Sequence, residues 1–285
     1  MHICHTKEDL RAITLEMRKT GAIGLVPTMG NLHDGHMALV AKARAENDFV
    51  LVSIFVNPTQ FGAIDDLQNY PRSLQTDLAK LSDAGVDGVF TPTPDIMYHD
   101  SSQTYVETSD LANTLLGALR PGHFRGVATV VAKLFNIFQP DRAYFGEKDF
   151  QQLAVIRTMV RDLDIPVKIC SVPTVREANG LAMSSRNERL SAQAREAASI
   201  LFKACQAAEH LVADGITSDA LSKVVWDTIS SEALADIQSV DVRDAETLAE
   251  LSGPILRPAV ILLAVRFDPV LLIDQYVINP HLDKI

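Results

Sequence analysis

A chain of 285 residues with 47% hydrophobic and 22% charged side chains has enough apolar content for one large core or two modest ones, which excludes a disordered or low-complexity chain. With 36 acidic against 26 basic residues the formal charge is −10, so no global attraction draws the protein to nucleic acid or an anionic membrane. Any anionic ligand has to be caught by a local cluster of donors.

In chain order, the start Met1-His2-Ile3-Cys4-His5-Thr6-Lys7 lacks the apolar core of a secretory signal, and Leu10, Ile13 and Met17 recur at helical spacing. Short apolar runs predict strands at 23–26, 49–56, 86–90, 142–145 and 167–172. Among them, Val127, Val130, Val131, Leu134, Phe135 and Phe138 predict a core-facing helix. Residues 104–107 read as a lone strand outside the alternation, at an edge or an oligomer contact. Strands alternating with helices predict an α/β domain with a parallel sheet. The pattern changes after Val175, where Arg176-Glu177-Ala178-Asn179-Gly180 is polar and turn-prone. A second, α+β domain is expected from there: a long alanine-rich helix after Ser191, a helix at Ser218–Ser230, and strands near Val240, at Ala259–Phe267 and at 272–277. The longest apolar run, 259–265, is too short for a membrane helix of roughly 20 residues. Three cysteines, Cys4, Cys170 and Cys205, form no Cys-x-x-Cys pair and are odd in number, which argues against a disulfide framework or a thiolate zinc site. A reducing, cytoplasmic location is the expectation.

The phosphate-binding patterns G-x-x-x-x-G-K-[ST] and G-x-G-x-x-G are absent, as is the esterase elbow G-x-S-x-G. Lys19-Thr20-Gly21 imitates one β-lactamase element without its S-x-x-K partner, and suits a helix end capped by Gly21.

The first long strand runs directly into Pro27-Thr28-Met29-Gly30-Asn31-Leu32-His33-Asp34-Gly35-His36, after which helical spacing resumes at Leu39 and Val40. A strand, a glycine-punctuated turn and a helix N-terminus make an anion site through unpaired backbone N–H groups and the positive end of the helix dipole. His33 and His36, three apart, share one face of the first turn. Spacing alone leaves four roles open for them: anion ligands, metal ligands, a capping pair or surface residues. Phe145-Gly146-Glu147-Lys148-Asp149-Phe150-Gln151-Gln152 places charges just after a strand, where ligands of open α/β sheets gather. Met183-Ser184-Ser185-Arg186-Asn187 adds two hydroxyls and a guanidinium suited to a polyphosphate.

These segments, with Ser53-Ile54-Phe55-Val56-Asn57-Pro58-Thr59-Gln60-Phe61 and Arg120-Pro121-Gly122-His123-Phe124-Arg125-Gly126-Val127, closely resemble the pantoate-beta-alanine ligase family, in the same order across nearly the whole chain. The H-x-x-H element alone marks the broader nucleotidyltransferase superfamily. The resemblance implies a Rossmann-like domain at 1–175 that binds ATP and pantoate, and a C-terminal lid domain at 176–285. It implies AMP-forming ligation of (R)-pantoate and β-alanine through pantoyl adenylate, with Mg2+ accompanying ATP, no organic prosthetic group and a homodimer. It places Met29, Gly30, Asn31, Leu32, His33, Asp34, Gly35 and His36 at ATP together with Gly146, Glu147, Lys148, Asp149, Val175, Met183, Ser184, Ser185 and Arg186. His36, His33, Lys148 and Arg186 are the expected catalytic groups, Gln60 serves pantoate and β-alanine, and Gln152 holds pantoate. The alternative is a related nucleotidyltransferase acting on a phosphorylated small molecule. Departures are Ala63-Ile64-Asp65-Asp66, on an expected loop beside the site, and Ile273-Asp274-Gln275 near the end. Asp77 suits a solvated helical position or a water-mediated magnesium contact. His123 and Arg125 suit either the substrate mouth or a helix start.

Overall fold

The computed structural model describes residues 1–62, 64–212 and 215–280. Its elements are β1 (His2–Cys4), α1 (Lys7–Met17), β2 (Ile23–Thr28), α2 (Asp34–Glu46), β3 (Phe49–Ile54), α3 (Ile64–Gln68), α4 (Leu74–Asp83), β4 (Gly88–Phe90), α5 (Pro94–Met97), α6 (Leu116–Leu119) and α7 (His123–Phe138). They continue with β5 (Arg142–Gly146), α8 (Phe150–Asp162), β6 (Lys168–Val172), α9 (Ala192–Ala197), α10 (Ile200–Val212), α11 (Ser218–Ser230), β7 (Asp236–Asp244), β8 (Ala259–Phe267) and β9 (Val270–Ile278). The chain divides into two compact units, Met1–Gly146 with Val155–Pro173, and Glu147–Ala154 with Thr174–Ile285.

The first unit is built on six parallel strands in the order β1-β4-β3-β2-β5-β6. Its central strands are continuous apolar runs because both faces are covered. On one face Leu39, Val40 and Ala43 of α2 and Leu81 of α4 pack against Val26, Val52 and Val89. Leu25 and Leu51, which alternate with those positions, are equally buried, and α7 lies against β2 and α1. The six apolar positions that predicted α7 are all buried.

The second unit carries the antiparallel sheet β7-β8-β9, whose inward residues Ile261, Leu263 and Val265 meet Leu201, Cys205 and Ala208 of α10 and Leu221 and Val225 of α11. The α/β and α+β expectations hold, with five local corrections. β1 is an edge strand that three residues were too few to signal. The helix expected after Ser191 is two helices, because tight bonds from Ser199 N–H to Glu196 O and from Leu201 N–H to Ala198 O reset the path. Residues 104–107 pair with no strand among the described residues; Thr129 Oγ1 instead bonds both N–H and C=O of Val106. Gly21 is not the cap residue, since α1 ends at Met17 with Arg18 as its C-cap, although Gly21 N–H still bonds Met17 O (3.1 Å); a Cβ at Gly21 would lie 2.4 Å from Asp48 Cβ. In the first family departure, Ala63 lies outside the described residues, and positions 64–66 belong to α3 (Ile64–Gln68) and not to the expected loop.

Candidate active site

The sheet opens where the site is expected. β2 and β3 stay paired to Thr28–Ile54, but β2 and β5 are paired only at Gly24–Arg142 and Leu25–Ala143. Here the chain order also reverses, running outward through β3 and β4 on one side and from β5 to β6 on the other. Open α/β sheets hold ligands at such a point. Pro27 fits a central strand because it lies beyond the last β5 pairing and owes no ladder bond on that side.

The turn that follows is strongly held. Gly30 (φ 84°) and Asn31 (φ 52°) are consecutive left-handed residues. Gly30 N–H donates to Thr28 Oγ1 (3.3 Å). Asn31 N–H and Leu32 N–H donate to the two oxygens of Asp77 (2.8 and 2.9 Å), and Lys80 Nζ donates to Leu32 O. Helix α4 thus grips the Leu32 residue by both its N–H and its C=O. Ser73 Oγ, at the start of α4, lies within hydrogen-bond distance of Asn31 Oδ1 and Asp77 Oδ1. Asp77 is 1% exposed, which corrects the solvated reading: it organises the turn. No local pattern announces this, because the partners are more than 40 residues away. Replacing Asp77 by alanine leaves two backbone donors unpaired beside a strained turn. The expected loss is about 2–4 kcal/mol in chemical denaturation, together with weaker ATP binding by calorimetry.

Helix α2 begins at Asp34 with His33 as N-cap. His33 N–H donates to His36 Nδ1 (3.3 Å), and the rings lie 4.1 Å apart, tilted by 43°. The capping role left open by spacing is therefore real for His36, and it has a chemical consequence. An Nδ1 that accepts carries no proton, so the neutral imidazole has its N–H at Nε2.

A second cluster follows β3. A tight turn at Pro58–Gln60 is capped by Asn57, which is 1% exposed. Asn57 Oδ1 accepts from Thr59 N–H (3.4 Å), Thr59 Oγ1 (2.9 Å) and Tyr98 O–H (2.8 Å), while its Nδ2 donates to Gly126 O (3.2 Å) and Gln60 Oε1 (2.9 Å). His123 Nδ1 donates to Gln60 O (2.8 Å). Gln60, 9% exposed, directs its amide nitrogen at Met29 Sδ (3.2 Å), a weak acceptor. Gly126 lets α7 approach this turn: a Cβ there would be 2.4 Å from Thr59 O. His123 is thus both a helix start and a neighbour of Gln60, whereas Arg125 is exposed and stacks over Tyr105.

In the second unit, Glu147–Asp149 form a tight turn in which Lys148 Nζ lies 4.0 Å from Asp149 Oδ1, and Gln152 is half-buried in the first turn of α8. Residues 175–183 form a hairpin: Met183 N–H donates to Val175 O (3.0 Å) and Glu177 N–H to Leu181 O (2.8 Å). Ser184 Oγ accepts from Arg186 N–H (3.2 Å), which starts the turn Ser185–Arg189. Arg176 anchors the hairpin with a bidentate pair to Asp274 (2.7 and 3.0 Å), bonds to Gly180 O and Gln275 O, and a stack 4.1 Å over Phe202. Asn187 and Arg195 both bond Glu177.

The structure therefore brings together His33 with His36, Met29 with Gln60, Lys148 with Asp149, Val175 with Met183, and Ser184 with Arg186. Sequence reasoning missed Asn57, Tyr98 and Arg176 as supports. Asn57 stands in a segment whose resemblance was noted, three residues before Gln60, in the Asn-Pro cap position of a tight turn.

The pantoate-beta-alanine ligase family model matches residues 2–277. A pantothenate synthetase of Rhizobium meliloti (strain 1021) is 54% identical over 282 residues, 98% of this chain and 97% of that protein. One from Bartonella tribocorum is 52% identical over 281 residues, 98% of each. The crystal structure of pantothenate synthetase from Thermus thermophilus superposes with a TM-score of 0.93 at 44% identity, covering 98% of this chain and 100% of that one. That of the Francisella tularensis pantoate-beta-alanine ligase, complexed with beta-gamma ATP and beta-alanine, gives 0.81 at 36% identity over 97% of each chain. With its family model matched almost end to end, the chain belongs to the pantoate-beta-alanine ligases and joins pantoate to β-alanine with ATP.

Proposed function

We propose that the reaction runs through pantoyl adenylate. A pantoate carboxylate oxygen attacks the α-phosphorus of ATP, the bond to the β-phosphate oxygen breaks, and pyrophosphate leaves. The amine of β-alanine then attacks the acyl carbon, AMP departs with the bridging oxygen, and the nitrogen releases a proton. No nucleophilic side chain is required, because the substrate supplies the nucleophile. The first step brings two anions together, so its barrier falls with donors fixed around the α-phosphate. His33, His36, Lys148 and Arg186 fill that role, His36 through Nε2–H. Met29 to His36, Gly146 to Asp149, Val175 and Met183 to Arg186 form the ATP site. Magnesium enters with ATP as part of the substrate, keeping phosphate oxygens and waters as ligands.

Gln60 serves pantoate and β-alanine, and Gln152 pantoate. The observation that carries this reading is the Gln60 amide nitrogen, on a side chain nine-tenths buried, with only a thioether as its partner among the described residues. A buried donor so poorly matched favours a ligand oxygen strongly. In this proposal residues 1–175 bind ATP and pantoate and residues 176–285 act as a lid that shields the water-sensitive mixed anhydride. The enzyme is a cytoplasmic homodimer: all three cysteines are free and buried, as a reducing compartment permits, and light scattering tests the assembly. The function is tested by ATP/pyrophosphate exchange, expected only when pantoate is present. Exchange without pantoate, or none at all with it, contradicts the adenylate route.

A further inference from the structure

The direction in which the Gln60 amide points is dictated by its neighbours. Asn57 is held at both ends by backbone groups that have no choice of role: Thr59 N–H can only donate, so it faces Oδ1, and Gly126 C=O can only accept, so it faces Nδ2. Tyr98, itself packed on Phe55 and covered by Lys133 Nζ 5.4 Å from its ring centroid, adds a further donor to Oδ1. With Asn57 so fixed, its Nδ2 is the only group it offers Gln60, and Gln60 must turn Oε1 toward it. The amide nitrogen of Gln60 is then turned away from Asn57, toward Met29 Sδ.

We infer that Asn57, braced by Tyr98, is a positioning residue that fixes the polarity of Gln60, so that this subsite presents hydrogen-bond donors and selects the oxygens of an anionic hydroxy acid. The inference rests on the proposal that Gln60 binds pantoate, and extends it by naming what sets the selectivity. A pocket built to donate leaves its own groups unpaired with a ligand that cannot accept, the strongest discrimination a small site can exert. A flipped Gln60 would instead set an amide oxygen against a substrate oxygen.

The test is Asn57→Asp, which is nearly isosteric but has no proton to give Gln60 when ionised. The amide then flips, and the pantoate KM is expected to rise about 100-fold near pH 8 while ATP binding without pantoate is unchanged. When the introduced carboxyl is protonated it regains a donor for Gln60 Oε1, so the defect relative to wild type should shrink as pH falls toward about 5.5, buried carboxyls titrating above the ordinary range. The titratable groups around this site are Tyr98, Lys133 beyond its ring and His123 on Gln60 O; wild type measured at each pH carries the same three and cancels them. Gln60→Glu, which replaces the amide nitrogen by oxygen and leaves Asn57 alone, separates the two claims. An unchanged pantoate KM in Gln60→Glu overturns the pantoate reading of Gln60. A raised KM there, with a pH-independent defect in Asn57→Asp or an equal loss of ATP binding, overturns the polarity relay alone. Should thermal melting show Asn57→Asp unfolded, Asn57→Ser decides, because a hydroxyl can donate or accept and no longer dictates which end of the Gln60 amide faces it: a pantoate KM about 10-fold higher at unchanged ATP affinity supports the relay, and a wild-type KM overturns it.

Discussion

Alanine at His36 is expected to slow adenylate formation about 100-fold or more, near 3 kcal/mol, the usual scale for one preorganised transition-state donor. His33 N–H holds His36 Nδ1, which leaves Nε2 to carry the ring's N–H and fixes the orientation of the ring. The substitution removes that donor and the cap together, so His36→Asn is the informative companion. Its side-chain oxygen can take the His33 N–H as Nδ1 does, while nothing replaces Nε2–H. Both variants should fold, with His36→Asn closer to wild type in thermal stability and equally poor in ATP/pyrophosphate exchange. Normal exchange in His36→Ala removes His36 from the reaction.

Breaking the Arg176–Asp274 pair should cost more stability than any other single change considered. Asp274 is 1% exposed at its side chain, and Arg176 is its bidentate partner as well as a ligand to Gly180 O and Gln275 O. Arg176→Met keeps much of the apolar stem but strands a buried carboxylate, for an expected loss of about 3–5 kcal/mol. Adding Asp274→Leu removes the stranded charge and should recover most of that loss, since an apolar pair can replace a buried ion pair at little net cost. Thermal melting of the two variants checks the stability claim. The ATP KM should rise in both, because the hairpin carrying Val175 and Met183 loses its anchor either way. Stability restored together with full ATP affinity would show that the anchor does not position the hairpin.

The fold was largely readable because its signals are local. Buried parallel strands appear as unbroken apolar runs, as at Ile23–Thr28, and α7 repeats its apolar positions at helical spacing. What was not readable depends on partners far away in the chain. Asp77 looked like a solvated helical carboxylate and is buried under the turn at 30–32, because the backbone donors that offset its burial lie on another element. Of the backbone N–H groups expected to form an anion site, those of Gly30, Asn31 and Leu32 are already bonded within the protein. Nothing local in Ile273-Asp274-Gln275 marks a supporting role, yet Asp274 anchors the hairpin and Gln275 Nε2 reaches Thr174 Oγ1, next to Val175. Gln60 was identified, but not the reason its nitrogen faces away from Asn57, which needs Gly126 from a helix more than 60 residues on.

The adenylate route is tested most directly by following one oxygen. Pantoate labelled with oxygen-18 in its carboxylate is incubated with ATP, magnesium and β-alanine, and the AMP is examined by mass spectrometry. Attack of the carboxylate on the α-phosphorus, followed by cleavage on the acyl side, leaves one labelled oxygen on AMP and the other in pantothenate. Unlabelled AMP accompanying normal pantothenate formation would contradict the account.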